Sequence, residues 1–389
     1  MATIAPERGI TIDTIAEKVF GDQRITPEEA LFLFHHPDLL DLATLANHRR
    51  QQKKPGNVVT YVVGRILNYT NVCWVRCKFC AFYRVPNHPE GYLLSEDEIL
   101  EKVRETVEVA ERGTGGNPLP PAPSPSASHK GQGRPEIAEI LFQGGLNPKL
   151  KIDYYEDIFR KIKEAYPEVI LHALSPAEII YIAHISKLTL ENTLKRLKAA
   201  GLHSIPGAGG EILVYRVRKI IAPYKDTTDE WLQCMRTASA LGIKSTASMM
   251  FGHVETIEDR VEHLGRIRDL QDECAPFRAF ITWNFQPEET NLPIERKASG
   301  FDYLRTVAVA RIFLDNIDNL QVSILTQGPK IAQLALGYGA NDFGSVMIEE
   351  QVVSAKGNKF ILDSAEFERL ISGAGYEPKR RNTRYEVLA

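Results

Sequence analysis

From Val58 onward, short apolar stretches rich in β-branched and aromatic residues alternate with longer stretches of helical period, and this alternation constrains the fold more than any other feature. The first stretch, Val58-Val-Thr-Tyr-Val-Val63, has the composition of a strand. Further strands are expected at 137–142, 169–174, 202–205, 244–251, 280–285, 320–325 and 343–348, which makes eight. Helices are expected between them at 95–112, 154–166, 190–200, 229–241, 257–274, 302–316 and 329–336. Strand and helix in regular succession imply a parallel sheet, because each helix carries the chain back to the same edge. Eight such units suggest an α/β fold of the closed (β/α)8, TIM-barrel type.

Residues 1–54 read as an N-terminal helical cap, with one amphipathic face at Ile12, Ala16, Val19 and Phe20. A second helix opens at Thr26-Pro27-Glu28-Glu29, where Thr is a cap and Pro occupies the first helical position. The barrel is expected over 55–363 and a C-terminal helix and tail over 364–389. Residues 113–135 are rich in Pro, Gly and Ser without apolar periodicity, and read as a flexible surface insertion or an interaction tether.

The stretch Cys73-Trp-Val-Arg-Cys77-Lys-Phe-Cys80 gathers three of the five cysteines into eight residues. A tight loop of this spacing can aim three sulfurs at one small inorganic centre. A structural zinc takes four ligands, and Cys234, Cys274 and His88 supply no partner at ligand spacing. Electron-transfer clusters also use a full protein set. Three ligands therefore suggest an iron left open for something else, with a noncatalytic metal-binding scaffold as the alternative from another class.

Cys-x3-Cys-x2-Cys with an aromatic residue, Phe79, before the last cysteine resembles the radical S-adenosylmethionine (SAM) superfamily. The resemblance implies a [4Fe-4S] cluster held by Cys73, Cys77 and Cys80. Its open iron chelates SAM, which is cleaved to a 5'-deoxyadenosyl radical. It also implies a complete or partial barrel, SAM contacts from Phe79, Gly144 and Gly145, and an external electron donor of flavodoxin or ferredoxin type.

In such barrels, functional groups stand where strands end. Strand ends offer His172, as a site residue or a structural histidine, and Glu211 after the Gly-rich 207–210 turn. Glu211 can accept hydrogen bonds from a ribose, take a proton, or cap a helix start. Trp283, Gln286 and Thr290 combine an aromatic surface with amide and hydroxyl groups suited to a polar aromatic substrate. Asn341 and Asp342 introduce the last strand, where Asp342 can bind hydroxyls or cap a turn.

These phrases together resemble one branch of the superfamily, the cyclic dehypoxanthinyl futalosine synthases of menaquinone biosynthesis. The likeness runs from about Thr26 to Gly357, through 73–84, 143–148, 172–178, 206–213, 246–255, 271–273, 279–290 and 326–350. It implies that dehypoxanthine futalosine loses a ribose C4' hydrogen to the deoxyadenosyl radical and that the carbon radical closes onto the benzoate ring. His172, Glu211 and Asp342 are then candidates for final proton removal, and Trp283, Gln286, Thr290 and Asn341 for substrate binding. Aminofutalosine synthase and the deazaflavin-forming FO synthase partner are alternatives within the branch.

A formal net charge of −3, without a concentrated basic run, speaks against nucleic acid as a partner. No apolar run reaches the roughly 18 residues that span a bilayer, and no secretory leader is evident. A cytoplasmic protein acting on a small molecule is expected.

Overall fold

The computed structural model describes residues 9–112, 138–348 and 362–388. The insertion expected at 113–135 lies outside the described residues, as do Glu349 and Glu350.

The elements begin with α1 (Ile12–Phe20), α2 (Pro27–His35), α3 (Leu39–Lys53), β1 (Val58–Asn68), α4 (Glu96–Arg112), β2 (Ala138–Gln143), α5 (Ile152–Ala165) and β3 (Val169–Ala173). There follow α6 (Pro176–Ser186), α7 (Leu190–Ala200), β4 (Leu202–Ile205), α8 (Tyr215–Ile221), α9 (Thr228–Ala240), β5 (Lys244–Phe251), α10 (Ile257–Cys274) and β6 (Phe277–Asn284). The chain ends through α11 (Gly300–Phe313), β7 (Asn319–Gln321), α12 (Ile324–Ala335), β8 (Asp342–Met347), α13 (Ser364–Gly373) and β9 (Glu377–Arg380). Strands β1 to β8 pair in sequence order, all parallel, and β1 closes the ring by pairing with both β8 and β2. The expected eight-stranded barrel is the observed one.

Local chemistry explains most element starts. Capping boxes, in which a Thr or Ser side chain and an acid three residues on satisfy each other's exposed amides, open α2 (Thr26, Glu29), α6 (Ser175, Glu178), α9 (Thr227, Glu230), α10 (Thr256, Asp259) and α11 (Ser299, Asp302). Ser95 and Glu98 make the same reciprocal bonds before α4.

Besides α8, which lies outside the expected helices, three elements depart from expectation. The seventh strand, expected at 320–325, is only Asn319–Gln321, because its apolar continuation turns into α12 at Ile324. Helix α6 follows a Ser-Pro-x-Glu start that the strand count passed over. The segment expected as a tail carries β9, which pairs with Val58–Tyr61 of β1 while the last five residues of β1 pair with β2. An eleven-residue β1 is long enough to serve both.

Helices α1 to α3 pack on the barrel's outer helices: Arg268 of α10 donates to the Ile25 carbonyl, and Arg305 of α11 donates to the His36 carbonyl. None of residues 9–54 lines the central cavity.

Candidate active site

A cavity of about 430 Å³ occupies the barrel interior, and the cysteine loop lies at its rim with Cys73, Cys77 and Cys80 all lining it. The loop is held as an extended arch. Cys73 N donates to the Arg84 carbonyl (2.8 Å), Trp74 N to Leu146 (3.4 Å) and Lys78 N to Ile221 (2.8 Å). Arg76 adopts a left-handed conformation (φ 56°) that turns the chain between the cysteines. Side chains alternate: Cys73, Val75 and Cys77 face in, Trp74, Arg76 and Lys78 face out. Burial pushes the free thiols of Cys73 and Cys77 up, so a bound cation is what would favour their thiolates. Among the described residues no three His, Cys, Asp or Glu side chains converge as ligands of a single metal ion. A lone zinc, with sulfurs about 2.3 Å away, needs that convergence; a multi-iron cluster takes its sulfurs further apart.

Gly144 and Gly145, at the end of β2, line the same cavity. Their missing side chains make room for the cysteine loop as much as for a ligand. A Cβ on Gly145 would lie against the Val72 carbonyl and 2.9 Å from Cys73 Cβ; one on Gly144 would lie 2.8 Å from the Tyr69 ring. Both amides are spent within the protein, Gly145 N on the Thr70 carbonyl (2.9 Å) and Gly144 N on Glu178 Oε1 (3.0 Å). Glu178 also accepts from Tyr69 OH (3.0 Å), Ser175 Oγ (2.7 Å) and Ser175 N (2.8 Å), and so ties the ends of β1 and β2 to the start of α6.

His172 and Ser204 project from neighbouring strands β3 and β4 into the cavity, with Nδ1 2.7 Å from Ser204 Oγ. Burial lowers the imidazole pKa, which keeps the ring neutral.

Glu211 lines the cavity beside Lys225, whose Nζ donates to Oε1 (2.8 Å), while Arg218 Nη1 lies 3.9 Å from Oε2. Burial alone would raise the carboxyl pKa; Lys225 and Arg218 outweigh it and hold the group below its ordinary range. Oε2 is buried without a hydrogen-bond partner among the described residues, which leaves one acceptor of a cavity-lining carboxylate unfilled. The Lys225 ammonium lies 5.6 Å from the centre of the Phe79 ring, and Phe79 also lines the cavity.

Trp283 reaches the cavity from β6. An extra β6 residue between the Ser245–Phe277 and Ala247–Phe280 pairs shifts the alternation by one, bringing Arg278 to the same wall as Ile281 and Trp283.

Four expected site residues lie elsewhere. Asp342 is fully buried outside the cavity wall, and all its acceptor positions are filled: Oδ2 by Thr60 Oγ1 (2.6 Å) and Arg381 Nε (2.5 Å), Oδ1 by Arg381 Nη2 (2.9 Å) and Gly344 N (3.0 Å). It has no acceptor position left with which to take a substrate proton. Asn341 accepts from Arg311 Nη2 (2.6 Å) and Leu320 N (2.9 Å), joining α11, β7 and β8. Gln286 is buried and donates to the Asn284 (3.2 Å) and Thr326 (3.3 Å) carbonyls. Thr290 closes a turn on the Pro287 carbonyl (2.8 Å). None of these four lines the cavity.

Sequence reasoning missed Lys225, Glu178 and the far end of the cavity, where Arg381, Thr383 and Tyr385 follow β9. Glu178 had a signal, since Ser175-Pro-Ala-Glu178 is a capping box; the residues after β9 had none.

A parallel (β/α)8 barrel that presents a Cys-x3-Cys-x2-Cys loop to its interior beside the end of β2 defines a radical SAM enzyme. Residues 131–267 match the radical SAM superfamily and residues 274–389 match the CofH/MqnC C-terminal region. Similar folds are methylornithine synthase PylB (TM-score 0.69, 17% identity, 94% of this chain and 97% of that one) and the [FeFe]-hydrogenase maturase HydG (TM-score 0.69, 18% identity, 96% and 76%). Identity is far higher to two cyclic dehypoxanthine futalosine synthases. The Halalkalibacterium halodurans protein is 41% identical over 97% of this chain and 95% of its own length, the Streptomyces coelicolor protein 41% over 97% and 89%. A 5-amino-6-(D-ribitylamino)uracil--L-tyrosine 4-hydroxyphenyl transferase of Methanococcoides burtonii is 38% identical over 97% and 99%. The chain belongs to the cyclic dehypoxanthine futalosine synthase family of radical SAM enzymes.

That family implies a [4Fe-4S] cluster and SAM, and the residues present fit them. Three sulfurs line one side of the cavity, and the orphaned Glu211 Oε2 supplies an acceptor. The Gly144 and Gly145 carbonyls accept no hydrogen bond from the described residues.

Proposed function

We propose that this enzyme cyclises dehypoxanthine futalosine to cyclic dehypoxanthinyl futalosine in the futalosine route to menaquinone. The observation that carries this is 41% identity to cyclic dehypoxanthine futalosine synthases over 97% of the chain. Cys73, Cys77 and Cys80 would hold the cluster. When bound, the cluster and SAM supply the radical that removes a ribose C4' hydrogen.

The chain's own residues bind, orient and move a proton. The Gly144 and Gly145 carbonyls suit an ammonium group, and Phe79 offers SAM an apolar face beside Lys225. Glu211, held ionised by Lys225 and Arg218, accepts from a ribose hydroxyl through Oε2. Its depressed pKa makes it a poor base and a good anchor. His172 is the better proton acceptor, because its neutral ring lines the cavity with Nδ1 engaged by Ser204. With Nδ1–H donating to Ser204, Nε2 takes the proton released as the cyclised ring radical gives up one electron to a one-electron acceptor, such as the oxidised external carrier, and regains aromaticity. Trp283 supplies a flat surface for that ring. A reaction that must abstract one hydrogen and then close one bond depends on such positioning.

No described helix is long and apolar enough to cross a membrane; we place the enzyme in the cytoplasm with a flavodoxin- or ferredoxin-type electron donor. The test is anaerobic reconstitution with SAM, a reductant and dehypoxanthine futalosine, followed by mass spectrometry. Substrate-dependent 5'-deoxyadenosine with a product lighter by two hydrogens is expected. The 38% identity to the Methanococcoides transferase favours one second reading. Parallel incubation with 5-amino-6-(D-ribitylamino)uracil and L-tyrosine decides it: product from that pair alone overturns the cyclase assignment.

A further inference from the structure

The outer face of the cysteine loop carries a feature that binding of SAM and substrate inside the barrel does not use. Trp74, Arg76 and Lys78 alternate with the inward residues on the outer side of the loop; Arg76 and Lys78 are exposed, and Trp74, 38% exposed, rests against Tyr181 of α6 with ring centres 5.6 Å apart. Beside them lies α8, tied to the loop by the bond from Lys78 N to the Ile221 carbonyl. Its exposed face adds Tyr215 (57% exposed), with the Lys219 ammonium 4.5 Å from the ring centre, and Tyr224 (63%) follows the helix. The other basic residues of α8 are occupied: Arg216 pairs with Asp259, and Arg218 turns inward to the Gly209 carbonyl and Asp226. Arg76, Lys78 and Lys219 have no ion-pair partner among the described residues.

Elsewhere on this surface cations are commonly paired, as in Arg24 with Asp272, Arg104 with Glu101, Arg196 with Asp153 and Arg236 with Glu273. On a chain of net charge −3, Arg76, Lys78 and Lys219 bring three cations without an ion-pair partner among the described residues to the cysteine loop and the helix bonded to it, with Tyr215 exposed on that helix. Such a patch attracts an acidic protein and steers its approach, and the exposed rings are typical anchors of a protein contact. The patch also lies one residue away from each of two buried cysteines, on the solvent side of the loop. Electron transfer weakens steeply with distance, and a donor docked here would be separated from those sulfurs by little more than the loop itself.

We propose that Arg76, Lys78 and Lys219, with Trp74, Tyr215 and Tyr224, form the docking surface for an acidic electron-transfer protein of the flavodoxin type. One electron passes from the donor, hydroquinone to semiquinone, to the oxidised iron-sulfur centre, which becomes reduced. The proposal rests on the radical SAM reading of the loop and not on the identity of the substrate.

The test mixes the reconstituted holoenzyme anaerobically with fully reduced flavodoxin, without futalosine substrate, and follows flavin oxidation by stopped-flow absorbance. Arg76→Glu/Lys78→Glu is expected to slow reduction by about 10-fold or more at low ionic strength. Added salt slows the unmodified protein towards the same rate, and reduction by dithionite is unchanged. Should the double variant lose its cluster, Lys219→Glu on α8 decides: slower reduction by flavodoxin alone upholds the proposal. Wild-type rates with flavodoxin in Lys219→Glu or in a cluster-loaded double variant overturn it. Capture of the patch by anionic lipid vesicles, without salt-sensitive flavodoxin reduction, assigns it to a membrane surface and overturns it equally.

Discussion

Asp342 of β8 and Arg381, the residue after β9, meet in a two-point ion pair, with Nε–Oδ2 2.5 Å and Nη2–Oδ1 2.9 Å. The pair is almost wholly removed from solvent, with 3% of the Arg381 side chain and none of Asp342 exposed. It clamps the C-terminal segment under the barrel, where Arg381, Thr383 and Tyr385 complete the cavity wall. Tyr385 stacks under the guanidinium at 3.7 Å and donates to Gln321 Oε1 (3.4 Å).

Removing one partner strands the other charge in a low-dielectric site. Asp342→Ala is expected to cost about 3–5 kcal/mol, measured by urea unfolding. Were Asp342 the proton acceptor instead, the variant would keep its stability and lose only product formation.

Gly145→Ala places a methyl group against the Val72 carbonyl and 2.9 Å from Cys73 Cβ. The backbone of the cysteine loop has to move, at about 1–3 kcal/mol. Iron content after reconstitution is expected to fall, with the far-ultraviolet circular dichroism unchanged. Full iron loading would show that the loop yields without cost.

The Glu211 carboxyl is depressed by Lys225 and Arg218 against the opposing effect of burial. A folded-state pKa below the unfolded one stabilises the protein above the ordinary carboxylate pKa of 4.5 and loses that contribution as pH falls through the folded value. The stability difference between the native chain and Glu211→Gln should therefore be largest at neutral pH and shrink below about pH 4.5. Glu211→Gln should also raise the KM for SAM or substrate more than it lowers kcat.

Burial lowers His172, so its protonation is resisted in the fold and stability is lost as pH drops below its ordinary value of 6.5 towards the folded one. As the proton acceptor it stays competent below pH 6.5, and the acid limb of product formation should lie there. His172→Gln is expected to lower cyclised product by about 100-fold while 5'-deoxyadenosine still forms. A variant with normal product yield would return His172 to a packing role.

Six of the eight barrel strands were legible to within a few residues because the apolar runs at 169–174 and 244–251, for example, are bounded by turn residues and helical periods. The seventh was misjudged at its end, since Val322, Ile324 and Leu325 are as apolar in a helix start as in a strand. Cys73, Cys77, Cys80, Phe79, Gly144, Gly145, His172, Glu211 and Trp283 all line the same cavity. Asn341 and Asp342 do not, because a polar residue at a strand start can serve a ligand or a neighbouring element. Only the position of Arg311 and Arg381 in space shows that both serve neighbours.

The sequence alone determined the features that depend on near neighbours: strand and helix periods, capping boxes, and the spacing that brings three sulfurs to one loop. Only the tertiary structure decided which charges are spent and which are available. Glu211 meets Lys225 across 14 residues and Asp342 meets Arg381 across 39. Those distances are closed by barrel formation, and a carboxylate's chemistry follows from the cations and the water it is left with once the barrel is closed.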